Sequence, residues 1–277
     1  MDPNRLLDRA DALVRRLPGQ DDAARQVAGL AVVGHRPWPL PQGPWLMAQT
    51  WSDLLFAHWP LPPEQLSGLL PPGVEPDLFD GSAWLGVTPF EVRGLRLHGT
   101  PAVPLLSRFA ETNVRTYVTF GGKPGIWFLS LDAASRLAVL AARRAYRLPY
   151  FHAAMEIARA GDGERIRYAS RRTSSDGEPA ELAIAYGPTG PPAVAAPGTL
   201  DHFLTERYCL YALDADRRLL RAEIHHPPWP LQPARAAVER LTMAEPYRIR
   251  LDMPPALLHF ARRQDVVIWP LAPARRG

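Results

Sequence analysis

Between residues 45 and 271 the apolar positions of this chain recur mainly at every second residue, the period of a strand, and turns bearing glycine or proline separate the runs. WLMAQTWSDLLFAHW (45–59) and SAWLGVTPFEV (82–92) read as strands. PPEQLSGLLPPG (62–73) between them reads as a short helix, with proline at its start and glycine beyond its end. FAETNVRTYVTF (109–120) and IWFLSLDA (126–133) flank a five-residue turn, GGKPG, and predict a hairpin. YFHAAMEIA and RIRYASRR around GDGE, then ELAIAYG, predict a meander; ERYCLYAL and LLRAEIHH around DADRR predict another hairpin, and DVVIWPL a closing strand. A 3.6-residue period replaces the strand period in few places. Residues 4–17 put Leu6, Leu7, Ala10, Leu13, Val14 and Leu17 on one helical face that Pro18-Gly19 terminates, a docking helix or an interface. Further helices are predicted over 21–30, over 133–145 (AASRLAVLAARRA) and near 233–241.

The prolines of HRPWPLPQGPW (35–45) forbid helix and make it an extended connector. The chain therefore divides into an N-terminal helical extension with a Pro-rich connector (1–44) and a main domain (45–277). Hairpins without regular strand-helix alternation predict an α+β fold, mainly antiparallel β, as a sheet or barrel with a few helices.

With 277 residues and 47% hydrophobic content the chain can bury a sizeable core. Cys209 is the single cysteine, which excludes a disulfide framework or a cysteine-rich metal site and suits a cytoplasmic protein. The charged N-terminus lacks a signal-peptide core, and no run approaches the roughly 18 apolar residues of a membrane span. The net charge of +4 comes from scattered arginine pairs such as Arg143-Arg144 and Arg171-Arg172, with Lys123 the only lysine. Without a basic stripe interleaved with aromatics, nucleic acid is not the expected partner. Gly-rich phosphate loops, GxSxG and HExxH are absent from the sequence, so neither cofactor nor metal is expected.

Candidate chemistry concentrates on 111–120. Alternation puts Glu111, Asn113, Arg115, Tyr117 and Thr119 on one side of the strand and Thr112, Val114, Thr116, Val118 and Phe120 on the other. The first row is either solvent-facing or, in a barrel, turned inward. Turned inward, Glu111 and Arg115 lie about 13 Å apart along the strand at about 3.3 Å per residue, too far to neutralise each other. In IHHPPWPL (224–231) the same alternation sends the two histidines to opposite faces, which excludes a shared metal. His226 continues an apolar face and reads as a core histidine satisfied by backbone; His225 shares a face with Glu223, which would raise its pKa and suit proton transfer. Tyr208 and Tyr211 alternate on ERYCLY and could reach an interior. His58 and Cys209 read as core residues. Lys123, in a turn, reads as solvated.

FAHWPLP, DGSAWLGVTPFEV, FAETNVRTYV, KPGIWFLSLDA, YRLPYFHAAM, FLTERYCLY, IHHPPWPLQPA and DVVIWPL, in that order, resemble the YqjF-like family, a bacterial family within the acetoacetate decarboxylase-like superfamily. The likeness covers about 45–272. It implies a cone-shaped, mainly antiparallel β-barrel with peripheral helices and an internal pocket. Acetoacetate decarboxylase uses a pocket lysine as a Schiff base; at the corresponding place, RLPYF, this chain has Tyr150, and Lys123 belongs to another hairpin, so that chemistry is not expected. Glu111 resembles the superfamily's pocket carboxylate. The expected ligand is a small molecule, an oxygenated organic acid or ketone, acted on by a lyase or hydrolase. Glu111 serves as general acid or base, Arg115 binds carboxylate or enolate with Asn113, Tyr150 and Tyr208 beside it, and His225 carries protons. The alternatives are a barrel that binds a metabolite or lipid-like ligand without turnover, and an interaction protein whose first helix docks on a partner or on a second copy to make a homo-oligomer.

Overall fold

Alternation along the strands sends successive side chains into two different cores, one on each face of a single large sheet. The computed structural model describes residues 3–17, 20–103, 107–161 and 164–276. In chain order the elements are α1 (Pro3–Val14), α2 (Asp21–Ala28), β1 (Met47–Leu61), β2 (Glu75–Pro76), β3 (Ala83–Leu97), β4 (Phe109–Phe120), β5 (Lys123–Ala133), α3 (Arg136–Tyr146), β6 (Tyr150–Arg159), β7 (Ile166–Arg172), β8 (Glu181–Pro188), α4 (Leu200–Thr205), β9 (Cys209–Leu213), β10 (Leu219–His225), β11 (Gln232–Leu241), β12 (Leu257–Ile268) and β13 (Ala272–Pro273).

Strand order is β13-β10-β9-β5-β6-β7-β8-β11-β12-β1-β3-β4-β2, with β4 also paired to β5 and β10 to β12. Pairing is antiparallel except where β5 meets β6 and β9. The fold is thus α+β, mainly antiparallel β, as the alternation predicts. β4 stands between the cores. Phe109 and Tyr117 join Phe56, Leu131 and Tyr146 on one side, while Ala110 and Val114 join Leu55, Val87 and Phe260 on the other.

Three local expectations need correction, and one helix, α4, was not predicted. Residues 232–241 form strand β11, because pairing with β8 from Ala234 to Leu241 satisfies the backbone and overrides the helix propensity of an Ala- and Arg-rich segment. The proline-led segment after β1 makes only a 3₁₀ turn over Pro63–Leu66. The hairpin turn is two residues, Gly121 and Gly122 at φ 57° and 77°, because only glycine adopts such a pair of positive φ values readily; Lys123 therefore begins β5 instead of sitting in a loop. The short helix α4 carried no readable period. The Pro18-Gly19 stop and Asp162-Gly163 of the GDGE turn lie outside the described residues.

The first helix docks through polar groups. The buried Arg96 guanidinium pairs with Asp11 and donates to Gln26 Oε1 at 2.9 Å, since a buried cation without a carboxylate costs several kcal/mol. Asp11 and Val14 therefore face the sheet, while Leu6, Leu13 and Leu17 stay 48%, 66% and 49% exposed. The apolar stripe expected to dock points mostly outward.

Candidate functional site

β4 supplies one wall of a cavity because its polar row faces the more aromatic core. Glu111, Asn113 and Arg115 are 5%, 6% and 7% exposed, so the row faces inward and the solvent-facing alternative is excluded. With Gln49, Trp51 and Tyr150 they line a cavity of about 50 Å³, otherwise walled by apolar side chains including Phe128, Leu131, Leu148 and Ile268. Helix α3, capped by the Ser135 side chain on the Ala138 amide, contributes Ala142 and Tyr146 to that wall.

Asn113 and Arg115 are incompletely satisfied there. Tyr150 Oη donates to Glu111 at 3.2 and 3.4 Å. Burial, outweighing that hydrogen bond and assisted by the Asp132 charge, pushes the Glu111 pKa up to about 8, so the carboxyl is protonated at neutral pH. Asn113 Oδ1 and Arg115 Nε have no hydrogen-bond partner among the described residues. Arg115 Nη2 makes only two contacts of 3.4 Å, to Tyr117 Oη and the Leu204 carbonyl, and among the described residues no carboxylate pairs with it. Its guanidinium lies 5.0 Å from the Phe56 ring centroid. Behind it, Tyr117 Oη and His58 Nε2 are 2.6 Å apart and buried. A cation and a neutral acid lining one apolar cavity can hold a ligand carboxylate at one end while the acid exchanges a proton with the ligand at the other.

Two expected site residues lie elsewhere. Strand β9 starts at Cys209, so Tyr208 does not join the alternating row; its hydroxyl bonds Glu206 and its ring stacks on His226. His225 is buried away from the cavity, where Nε2 donates to the Gly29 carbonyl at 2.9 Å and Nδ1 accepts from Arg36 at 3.3 Å. It does share a face with Glu223, since Arg36 reaches both side chains, but the expected rise in pKa is reversed. Burial first, and the nearby Arg36 charge, lower it to about 4. His226 is a core histidine, with Nδ1 2.8 Å from the Pro227 carbonyl and Nε2 3.3 Å from that of Arg207. Lys123 is half-buried and paired instead of freely solvated: its Nζ is 2.7 Å from Glu223, and it does not line the cavity. Gln49 and Trp51 were not singled out from sequence. Their signal is two polar-tipped side chains two apart on β1, joined by a Trp51 Nε1 to Gln49 Oε1 hydrogen bond of 2.8 Å.

The histidine pair is thus a fastening for the N-terminal segment. Together with His225, His35 Nε2 meets the His226 carbonyl at 2.9 Å and Arg36 Nη1 donates to the Ile224 carbonyl at 2.7 Å. Because the folded pKa of His225 is depressed, its stabilisation is complete above the ordinary 6.5 and is lost as pH falls through about 4. Limited proteolysis between residues 20 and 45 is expected to accelerate from pH 7 to pH 4. His225→Gln, which keeps a neutral donor for Gly29, should flatten that dependence, and an unchanged dependence would refute the assignment.

A family model described as an uncharacterized conserved protein, DUF2071, matches residues 48–265. The uncharacterized protein YqjF of Bacillus subtilis (strain 168) is 46% identical over 232 residues, 84% of this chain and 94% of that protein. Acetoacetate decarboxylase from Legionella pneumophila superposes with a TM-score of 0.57 at 11% identity, over 87% of this chain and 93% of that one. An acetoacetate decarboxylase-like enzyme from Sphingomonas wittichii RW1 superposes at 0.54 with 14% identity, over 87% and 98%. At these identities the likeness to solved structures shows the fold alone.

Proposed function

From the premise that the chain belongs to the DUF2071 family of uncharacterized conserved proteins, on an acetoacetate decarboxylase-like fold, we propose that it is a small-molecule pocket protein acting on a short oxygenated organic acid. The observation that carries this reading is the Arg115 guanidinium, buried at the cavity wall with no carboxylate among the described residues to neutralise it. A buried cation in that condition costs several kcal/mol unless a ligand supplies the anion. The volume of about 50 Å³ suits a few water-sized groups, at about 10–15 Å³ for each, hence an acid of few carbons. In the proposed arrangement Arg115 binds the carboxylate, Asn113 accepts a ligand hydroxyl or N–H, and protonated Glu111, held by Tyr150, is the general acid. The pairings of β4 with β5 and of β1 with β12 support a conical barrel around the cavity, with residues 1–44 as an extension outside it.

Among the described residues no amine lines the cavity, so the proposed chemistry proceeds without a Schiff base. Borohydride treatment with acetoacetate is expected to leave the protein mass unchanged. Calorimetric titration with pyruvate, lactate and acetoacetate is expected to find an acid that binds saturably. Arg115→Ala should weaken it at least roughly 30-fold, the low end of the about 2–5 kcal/mol for removing one partner of a buried charge pair. Equal affinity in wild type and variant, or no binding at millimolar concentration, would refute the proposal.

A further inference from the structure

The two proline-rich segments left over from the cavity, 38–44 and 269–273, face each other across an open groove of about 650 Å³. That lies within the roughly 300–1,000 Å³ of small-molecule sites. Its walls include Trp38, Pro41, Pro270 and Leu271, and prolines on both sides fix φ, so little backbone freedom remains to be lost on binding. The groove shares no lining residue with the cavity.

One end of the groove is cationic. Glu223 accepts from Lys123 Nζ at 2.7 Å, from Arg221 Nε at 3.0 Å and from Trp38 Nε1 at 2.8 Å, and Arg36 lies 3.5 Å away. Three cations around one carboxylate leave a net charge of +2, and the Arg36 side chain is only 1% exposed, so water screens its charge poorly. Lys123 Nζ also sits 4.1 Å from the Trp38 ring centroid, which holds the ammonium between an indole face and a carboxylate. An ammonium has three donors, and Glu223 takes one from Lys123.

We propose that this groove is a second binding site, for a small organic anion with a flat apolar body. Its carboxylate or sulfonate lies against Lys123 and Arg221, and its body lies along Leu271, Pro270 and Trp38. The charge excess supplies the attraction for the anion. The proline and tryptophan walls supply the apolar contact, and neither alone defines the ligand.

Calorimetric titration of the full chain with 2-naphthoate tests this. Wild type is expected to bind saturably and to weaken as sodium chloride is raised from 50 to 500 mM. The neutral 2-naphthamide should bind at least tenfold more weakly. Lys123→Met should lose at least tenfold, with Glu223 still held by Arg36, Arg221 and Trp38. Leu271→Asp, at a half-exposed position, should lose as much without touching that cluster, and Arg115→Ala should bind as wild type does. The proposal is overturned by any of four results: no saturable binding at millimolar naphthoate, equal affinity for the amide, unchanged affinity in both groove variants, or loss of binding in Arg115→Ala, which would put the probe in the cavity.

Discussion

Replacing Glu111 by glutamine is expected to make the protein more stable in alkaline solution and, if the cavity catalyses a reaction, to stop it. The sign follows from burial. The folded-state pKa of Glu111 is raised from 4.5 to about 8, so its contribution to stability is complete below 4.5 and is lost as pH rises through about 8. At about 1.4 kcal/mol per unit the wild type forfeits up to about 5 kcal/mol across that interval. Glutamine is neutral at every pH and still accepts from Tyr150 Oη. The difference in unfolding free energy between Glu111→Gln and wild type should therefore be within about 1 kcal/mol at pH 4.5 and several kcal/mol in the variant's favour at pH 9. Comparing the two proteins at each pH cancels the other titrating groups, His225 included. A variant no more stable than wild type at pH 9 would mean that folding does not raise the Glu111 pKa, so that the carboxyl is ionised at neutral pH, and the general-acid role would fall with it.

The same substitution separates catalysis from simple binding. An amide retains the shape and the hydrogen bond but cannot deliver a proton, so a catalysed rate should drop by about 10²–10⁴ while ligand affinity stays close to wild type. A binding protein would show the retained affinity with no turnover in either form.

The alternation of FAETNVRTYVTF was enough to put Glu111, Asn113, Arg115 and Tyr117 on one face, because side chains on a strand have a fixed period. Whether that face met water or a core depended on β1, β9, β10 and β12, which lie far away in sequence and supply Gln49, Leu210, Ile224 and Ile268 to the cavity wall. Tyr150 entered through a family resemblance, and its hydroxyl does meet Glu111. Local pattern failed where a distant partner decided the outcome. Nothing near LLRAEIHH shows that Gly29 and Arg36 would enclose His225 and lower its pKa. Nothing near GGKPG shows that Glu223 and Trp38 would capture Lys123. Residues 234–241 are rich in the helix formers Ala, Arg and Glu, yet β8 offers a ladder from Ala234 to Leu241 broken only by a bulge after Val238, and pairing won over propensity.

The largest expected loss of stability lies one residue away from the cavity, on the other face of β5. Asp132 is fully buried beside Thr112 of β4 and receives Arg172 Nη2 at 2.8 Å and Nε at 3.0 Å. The Arg172 guanidinium also lies 4.0 Å from the Phe151 ring centroid. Truncation to Arg172→Met keeps most of the aliphatic volume but leaves a carboxylate in the core without its cation. The cost should be about 3–5 kcal/mol by urea denaturation. Burial already raises the Asp132 pKa despite the guanidinium, so the variant is expected to recover part of the loss by taking up a proton as pH falls. Neutralising both partners in Asp132→Asn/Arg172→Met should regain most of the stability, since the cost comes from the orphaned charge and not from the lost contact area. The double variant carries a second consequence for the site. With the Asp132 charge gone, Glu111 loses one of the causes that raise its pKa but keeps the larger one, burial. The pH at which Glu111 ionises should therefore move down and yet stay above the ordinary 4.5. Should the double variant be as unstable as Arg172→Met, the pair would be acting through packing on Phe151 and not through charge.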